Sequence, residues 1–168
     1  MSLEFRAEEL TSGLISEMSV MQDAYWRETT GDYHFFLPDP DWKTYLMAQR
    51  IGNLIIITAR DRGNVLRGAA VTVIMPDMHY ACISASIPMV FLDPAYRKGF
   101  DGVKLIHMAE HEACSRGAQL ISTHGGIHTG VYRLFQALDY KNFGMYFTKI
   151  LPDGPNRMKQ IYKGGQWQ

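Results

Sequence analysis

A proline stands inside the most strand-like run of this chain. The run is "YACISASIPMVFLDP", residues 80–94, rich in Ile, Val and Phe. Pro88 has no N–H to give to a ladder, so the strand that carries it either lies at a sheet edge or is interrupted there. The next stretch is just as constraining. "DPAYRKGFDGVKLI", residues 93–106, passes through Pro94 and Arg97 to two glycines and straight into an amphipathic stretch. Chains that leave a strand this way often hold a phosphate, because the first turn of a helix offers unpaired N–H groups and the positive end of its dipole. The plain alternative is a connecting loop that uses glycine for geometry.

The rest of the chain supplies a mixed α/β pattern. Leu14, Met18, Met21 and Tyr25 recur at helical steps, and "DWKTYLMAQRIG" predicts a short helix closed by Gly52. "NLIIITARDRGNVLRGAAVTVIM" predicts a hairpin with its turn at Asp61 to Asn64. After residues 80–94 come a helix over 101–116, a short strand in "AQLISTHGG", a helix in "TGVYRLFQALDY" and a last strand in "FGMYFTKIL". A strand–helix–strand unit around residues 86–123 implies a parallel pair beside an antiparallel hairpin, hence a mixed sheet covered by helices.

At 168 residues the chain is expected to form one domain, spanning 1–151, with N-terminal helices in about 1–50 and an appendage at 152–168. Seventeen basic and seventeen acidic residues leave no net charge, which argues against a dedicated nucleic-acid binder. Cys82 and Cys114 form no CxxC pair and read as reduced thiols, consistent with a cytoplasmic protein. No apolar run reaches the roughly 20 residues of a membrane span, and the N-terminus lacks a signal-peptide core.

In order and spacing these motifs resemble the GNAT superfamily of N-acetyltransferases, over roughly residues 50–151. The family's strand, Arg-containing phosphate loop and Leu-bearing helix are matched by Leu92, Pro94, Tyr96, Arg97, Gly102, Leu105 and Ile106. "EACSRGAQLI" resembles the end of that helix, and "VYRLFQALDYKNFGMYFTKIL" the family's later helix and final strand. The resemblance implies a mostly antiparallel sheet with a splayed central parallel pair, and acetyl-CoA as co-substrate without a metal. Its pantetheine arm would lie against Val90, Phe91 and Leu92. Its pyrophosphate would lie over Arg97, Lys98, Gly99, Phe100, Asp101, Gly102 and Val103. Pro88 then belongs at an interruption between the two parallel strands. The implied partner is a small-molecule or peptide amine, with a homodimer left open and neither nucleic acid nor membrane involved.

The catalytic positions depart from the family. Phe100 replaces the first loop glycine, and Asp101 brings a carboxylate toward a pyrophosphate, which is electrostatically unfavourable. Either Gly99 serves in a shifted loop, or Asp101 caps the helix. Phe135 aligns with the family's proton-donating Tyr, His128 with its frequent Asn, and Asp139 and Tyr140 with its Gly and Phe. His128, His124 and Glu28 are candidates for the base, and Tyr132 is the nearest hydroxyl to the vacant acid position. Backbone N–H groups near Val90 to Leu92 are candidates for the oxyanion. The resemblance thus supports direct acetyl transfer in a ternary complex, or a degenerate member that keeps the scaffold for binding or assembly and has lost catalysis.

Two other patterns compete for attention. "HMAEH", residues 107–111, satisfies a zinc-peptidase signature, but helical register puts His107 and His111 on the flank of the core face, and no glutamate follows Glu112. "YWRETTGDYHFFLPDPDW", residues 25–42, supplies either an aromatic acceptor wall or ordinary packing between helix and sheet. A β-branched side chain at Gly102 is expected to project toward phosphate or the neighbouring strand.

Overall fold

The computed structural model describes residues 2–29, 39–125 and 130–144, and the backbone of 162, 163, 166 and 167. Its elements in chain order are β1 (Glu4–Ala7), α1 (Ser12–Thr29), α2 (Trp42–Arg50), β2 (Leu54–Arg60), β3 (Leu66–Asp77), β4 (Cys82–Leu92), a 3-10 turn (Pro94–Tyr96), α3 (Asp101–Ser115), β5 (Leu120–Thr123) and α4 (Gly130–Ala137). The two-residue strands β6 (Tyr162–Lys163) and β7 (Gln166–Trp167) pair with each other. The last strand expected in "FGMYFTKIL" falls mostly outside the described residues. No helix among the described residues is long and apolar enough to cross a membrane.

The first five strands form one sheet in the order β1-β2-β3-β4-β5, antiparallel except for the β4–β5 pair. Every residue of β2 is buried, so both faces of its Ile-rich run are covered. Period-2 alternation divides the core. Leu54, Ile56, Ala69, Val71 and Phe91 face Leu14, Met18 and Met21 of α1. Ile55, Ile57, Ala70, Ala85 and Ile87 face Leu105, Ala109 and Ala113 of α3. Helical register predicts a core face of Gly102, Ile106, Ala109 and Ala113 on α3; the last three are buried together with Leu105, and Gly102 lies at the margin.

β1 was not foreseen. It is a four-residue edge strand, half exposed and too short to show an alternation. A buried ion cluster holds it and α1 to the sheet. Arg60, 5% exposed, donates from Nε to Glu8 Oε1 at 2.6 Å and from Nη2 to Glu17 Oε2 at 2.7 Å.

The feature that shapes β4 lies at its middle. Val71 pairs with Met89 and Val73 with Ser86, so Thr72 alone opposes Ile87 and Pro88, which forms a β-bulge. On the other side, β5 pairs with Ser84 to Ile87 and stops at Thr123, whose hydroxyl donates to the Ile87 carbonyl at 3.0 Å. Pro88 therefore stands at the point where the parallel pair ends, as expected of an interrupted ladder.

Thr72 is fully buried, and its hydroxyl oxygen is the one buried side-chain polar atom among the described residues without a hydrogen-bond partner. Thr72→Val keeps the side-chain shape and removes the orphan group. Urea denaturation should show it unchanged or up to about 1–2 kcal/mol more stable. A loss beyond about 1 kcal/mol would mean the hydroxyl is bonded.

Burial works against ionisation of Glu8, but hydrogen bonds from Arg60, Thr58 and Arg6 outweigh it and hold the carboxyl down at about 2, against an ordinary 4.5. A carboxylate lowered on folding contributes stability that is complete above about 4.5 and is lost as pH falls toward about 2. Between pH 5 and 2 the parent should therefore lose on the order of 2–3 kcal/mol through this group. Glu8→Gln, weaker at pH 7, should show that much less pH dependence in urea titrations over the same range.

Candidate functional site

The candidate site begins where β4 parts from β5. Beyond Ile87, residues 88–92 keep β3 as a ladder partner and have no pairing with β5. Their side chains are committed to packing. Phe91 is buried on the α1 face, Leu92 packs with Leu3 and Ala59, and Val90 joins the α3-side core. Only the backbone edge of Val90, Phe91 and Leu92 is thus placed to meet a ligand.

The chain then turns under local control. Asp93 has φ −49° and ψ 129°, the extended conformation that a following proline favours, and its Oδ1 accepts from the Ala95 N–H at 2.9 Å. Gly99 takes φ +98°, with nothing within 4 Å of where a Cβ would be. The N-cap of α3 is Phe100, 77% exposed, and its side chain makes no capping hydrogen bond. Asp101 is therefore not the cap. It occupies the first helical position and pairs along the helix with Lys104 Nζ at 3.4 Å. The expectation that Asp101 caps the helix fails, and Gly99, at positive φ, makes the turn before it.

Arg97 turns back onto the strand it has just left. Its Nε donates to the Leu92 carbonyl at 2.6 Å, its guanidinium lies 5.4 Å from the Phe91 ring centre, and Nη1 and Nη2 both donate to the Glu28 carboxylate. Glu28, a candidate base, thus has both oxygens engaged. Tyr25, one helical turn earlier, donates its hydroxyl to the Pro88 carbonyl at 3.2 Å and meets Phe91 edge-on at 6.4 Å. Burial raises the Tyr25 phenol above its ordinary range, so it stays a donor at neutral pH. Neither contact was legible in the sequence, where Tyr25 showed as part of a helical stripe and as the first residue of the aromatic segment 25–42.

α4 closes the other side. A Cβ at Gly102 would meet Leu134 Cδ2 at 3.3 Å, and one at Gly125, just after β5, would meet Val131 Cγ1 at 3.0 Å. The helix therefore reaches from the chain leaving β5 to the start of α3. Of the two expectations for a side chain at Gly102, phosphate or the neighbouring strand, the strand is not what it meets; the protein neighbour is Leu134 on α4. Tyr132 is half-buried on α4, and Gln136 Nε2 donates to its hydroxyl at 3.4 Å. Phe135 is buried, and its ring centre lies 4.8 Å from that of Tyr140, tilted by 58°. The candidate base His128 lies outside the described residues, as do Tyr33, His34, Phe35 and Phe36 of the aromatic segment.

The "HMAEH" residues have another arrangement. Glu110 accepts from the Tyr140 hydroxyl at 2.8 Å and lies 2.7 Å from His107 Nδ1 through its other oxygen. A depression of about 420 Å³ beside the β2–β3 turn is lined by Ser2, Asp61, Arg62, Gly63 and Tyr96, none of them a candidate residue.

Glycine substitutions separate the two kinds of constraint in the loop. Gly99→Ala forces a left-handed backbone on a residue with a Cβ, at a cost of about 1–2 kcal/mol in stability. Gly102→Ala should be milder, because Leu134 can shift. Gly102→Val should cost about 1–3 kcal/mol by driving α4 away from α3. Urea denaturation of the three variants checks the order.

No protein-family model matches the sequence, and no curated protein matches it. Solved structures do. An aminoglycoside acetyltransferase from an uncultured soil metagenomic sample superposes with a TM-score of 0.69 at 14% identity, over 90% of this chain and 99% of that one. A ribosomal-protein-alanine N-acetyltransferase from Brucella melitensis gives 0.65 at 12% identity, over 89% and 100%. A transcriptional regulator from Bacillus halodurans gives 0.70 at 21% identity, over 88% and 100%. With its bulged β4, its forked parallel pair and α3 crossing between the two strands, this chain has the GNAT N-acetyltransferase fold.

Proposed function

We propose that the chain binds acetyl-CoA along the free edge of β4 and transfers the acetyl group directly to a primary amine in a ternary complex. The observation that carries this reading is the fork. Among the described residues none pairs with 88–92 on the β5 side, and a 3-10 turn and a short loop lead from the strand to a helix start with no side-chain cap. A pantetheine arm carries amides spaced along an extended chain, which suit an open strand edge. A pyrophosphate suits the first turn of α3, where N–H groups at Asp101, Gly102 and Val103 begin the helix. In this reading Arg97, Lys98, Gly99 and Phe100 shape the loop that delivers them.

Acetyl-CoA supplies an activated thioester, and the chain must manage the protons. An amine of pKa about 10.4 costs about 4–5 kcal/mol to deprotonate at pH 7. We assign the base to His128 and the acid for the departing thiolate to Tyr132, because Phe135 cannot donate a proton. The backbone N–H groups of Val90 to Leu92 are assigned to the carbonyl oxygen. Neighbouring folds act on aminoglycosides, on glucosamine-6-phosphate and on a ribosomal protein's alanine, by their names. A small-molecule or peptide amine is the acceptor class consistent with them.

A second reading, a binding or assembly protein without catalysis, is favoured by Phe135, buried where a proton donor would stand. Calorimetric titration with acetyl-CoA, then thiol release against a panel of amines, separates the two. The enzyme reading expects saturable binding and turnover, with Tyr132→Phe and His128→Ala lowering turnover about 10²-fold or more at little change in affinity. Binding without turnover against any amine supports the second reading. Absence of binding sinks the enzyme reading and leaves the second reading as an assembly role.

A further inference from the structure

We propose that Tyr25 and Glu28, one turn apart at the end of α1, form with Arg97 a clasp that positions the unpaired end of β4. The Arg97 side chain then belongs to this clasp and not to the phosphates. The functional part of this assignment rests on the acetyl-CoA reading.

Residues 88–92 lose β5 and, among the described residues, pair only with β3 in the plane of the sheet. A strand end held on one side is free to bend, and an edge meant to register a ligand's amides must not. The structure answers with side chains. The Tyr25 hydroxyl bonds the Pro88 carbonyl at the start of the unpaired segment, and Arg97 Nε bonds the Leu92 carbonyl at its end. Between them the Phe91 ring is held edge-on by Tyr25 and covered by the Arg97 guanidinium. Glu28 completes the arrangement by accepting from both terminal nitrogens of Arg97.

This accounts for the guanidinium in full. Its Nε is on a backbone carbonyl, its fork is on a carboxylate, and its face is on an aromatic ring. A paired carboxylate also fixes the planar orientation of an arginine, which a lysine cannot reproduce. Tyr25 and Glu28 are therefore positioning residues. They act on the ligand edge through Phe91, Leu92 and Arg97.

Two measurements test the clasp, on Tyr25→Phe, Glu28→Gln, Arg97→Lys and the charge exchange Glu28→Arg/Arg97→Glu. The first is amide hydrogen exchange of Met89 to Leu92 in the ligand-free protein, with β2 amides as the internal standard. The second is acetyl-CoA titration at low and high salt. Glu28→Gln and Arg97→Lys should each speed exchange at Met89 to Leu92 at least about fivefold while β2 is unchanged. Each should weaken acetyl-CoA binding about tenfold, as for one charge-assisted bond lost. Tyr25→Phe should act in the same direction, and the charge exchange, which restores the ion pair but neither the Leu92 bond nor the Phe91 contact, should bind better than Arg97→Glu alone while recovering only part of the loss.

If Arg97 serves phosphate instead, Glu28→Gln binds as tightly as the parent or more tightly, and the charge exchange binds no better than Arg97→Glu alone. That result overturns the proposal. Unchanged exchange in both single variants overturns it as well, and faster exchange at unchanged affinity overturns the positioning role. A parent that takes up no acetyl-CoA refutes the functional reading, and exchange at Met89 to Leu92 then still decides whether the clasp exists.

Discussion

One extra residue in β4 governs the arrangement of everything around the candidate site. Thr72 faces both Ile87 and Pro88, and the ladder to β5 ends at the same place. A proline cannot donate to either neighbour, so a regular parallel pair through residue 88 would lose a hydrogen bond whichever way the strand faced. The bulge absorbs that defect and bends the strand. Thr123 then closes the fork by bonding the last shared carbonyl, at Ile87. The buried, unpartnered hydroxyl of Thr72 lies opposite the distortion, where regular pairing gives way.

Charge is distributed around this fork in an unexpected way. A loop expected to meet a pyrophosphate carries Arg97, whose charge is met by Glu28, and Asp101, whose charge is met by Lys104. Two of the loop's charged side chains are thus neutralised within the fold. What remains for a phosphate is exposed Lys98 and backbone, an uncapped helix start entered through Gly99 at positive φ. Such a site depends on geometry more than on net charge, which agrees with a chain whose basic and acidic residues balance.

Local signals made the scaffold legible. Pro88, the Asp93–Pro94 pair, Gly99 and the order of periodic segments each act on their own stretch of backbone, and each produced the structure its chemistry favours. What escaped reading were contacts between distant positions. Arg60 joins Glu8 and Glu17 across more than forty residues, and Arg97 joins Glu28 across 69. No periodicity encodes which acid an arginine will find. β1 was missed for a related reason. Four residues at an edge bury too little to leave an alternation, and their strand character comes from β2 beside them. For Gly102 the local motif was visible, but its packing partner, Leu134 on α4, lay beyond the reach of a motif.

The fork also depends on what β4 does on its other side. At Gly68, opposite Leu92, an added Cβ would lie 2.7 Å from the Phe91 carbonyl oxygen and 2.8 Å from Leu92 Cδ1. Those distances are too short for any side chain, so β3 and β4 approach closely just where β4 and β5 no longer pair. The end of β4 is therefore drawn toward β3 through the space a side chain would fill, while Arg97 and Tyr25 grip it from the α1 face. Separation from β5 is then the outcome of two attractions, and does not require repulsion within the gap. A glycine on the neighbouring strand thus bears on the candidate site, although it touches none of the residues that the sequence motifs single out except Phe91 and Leu92.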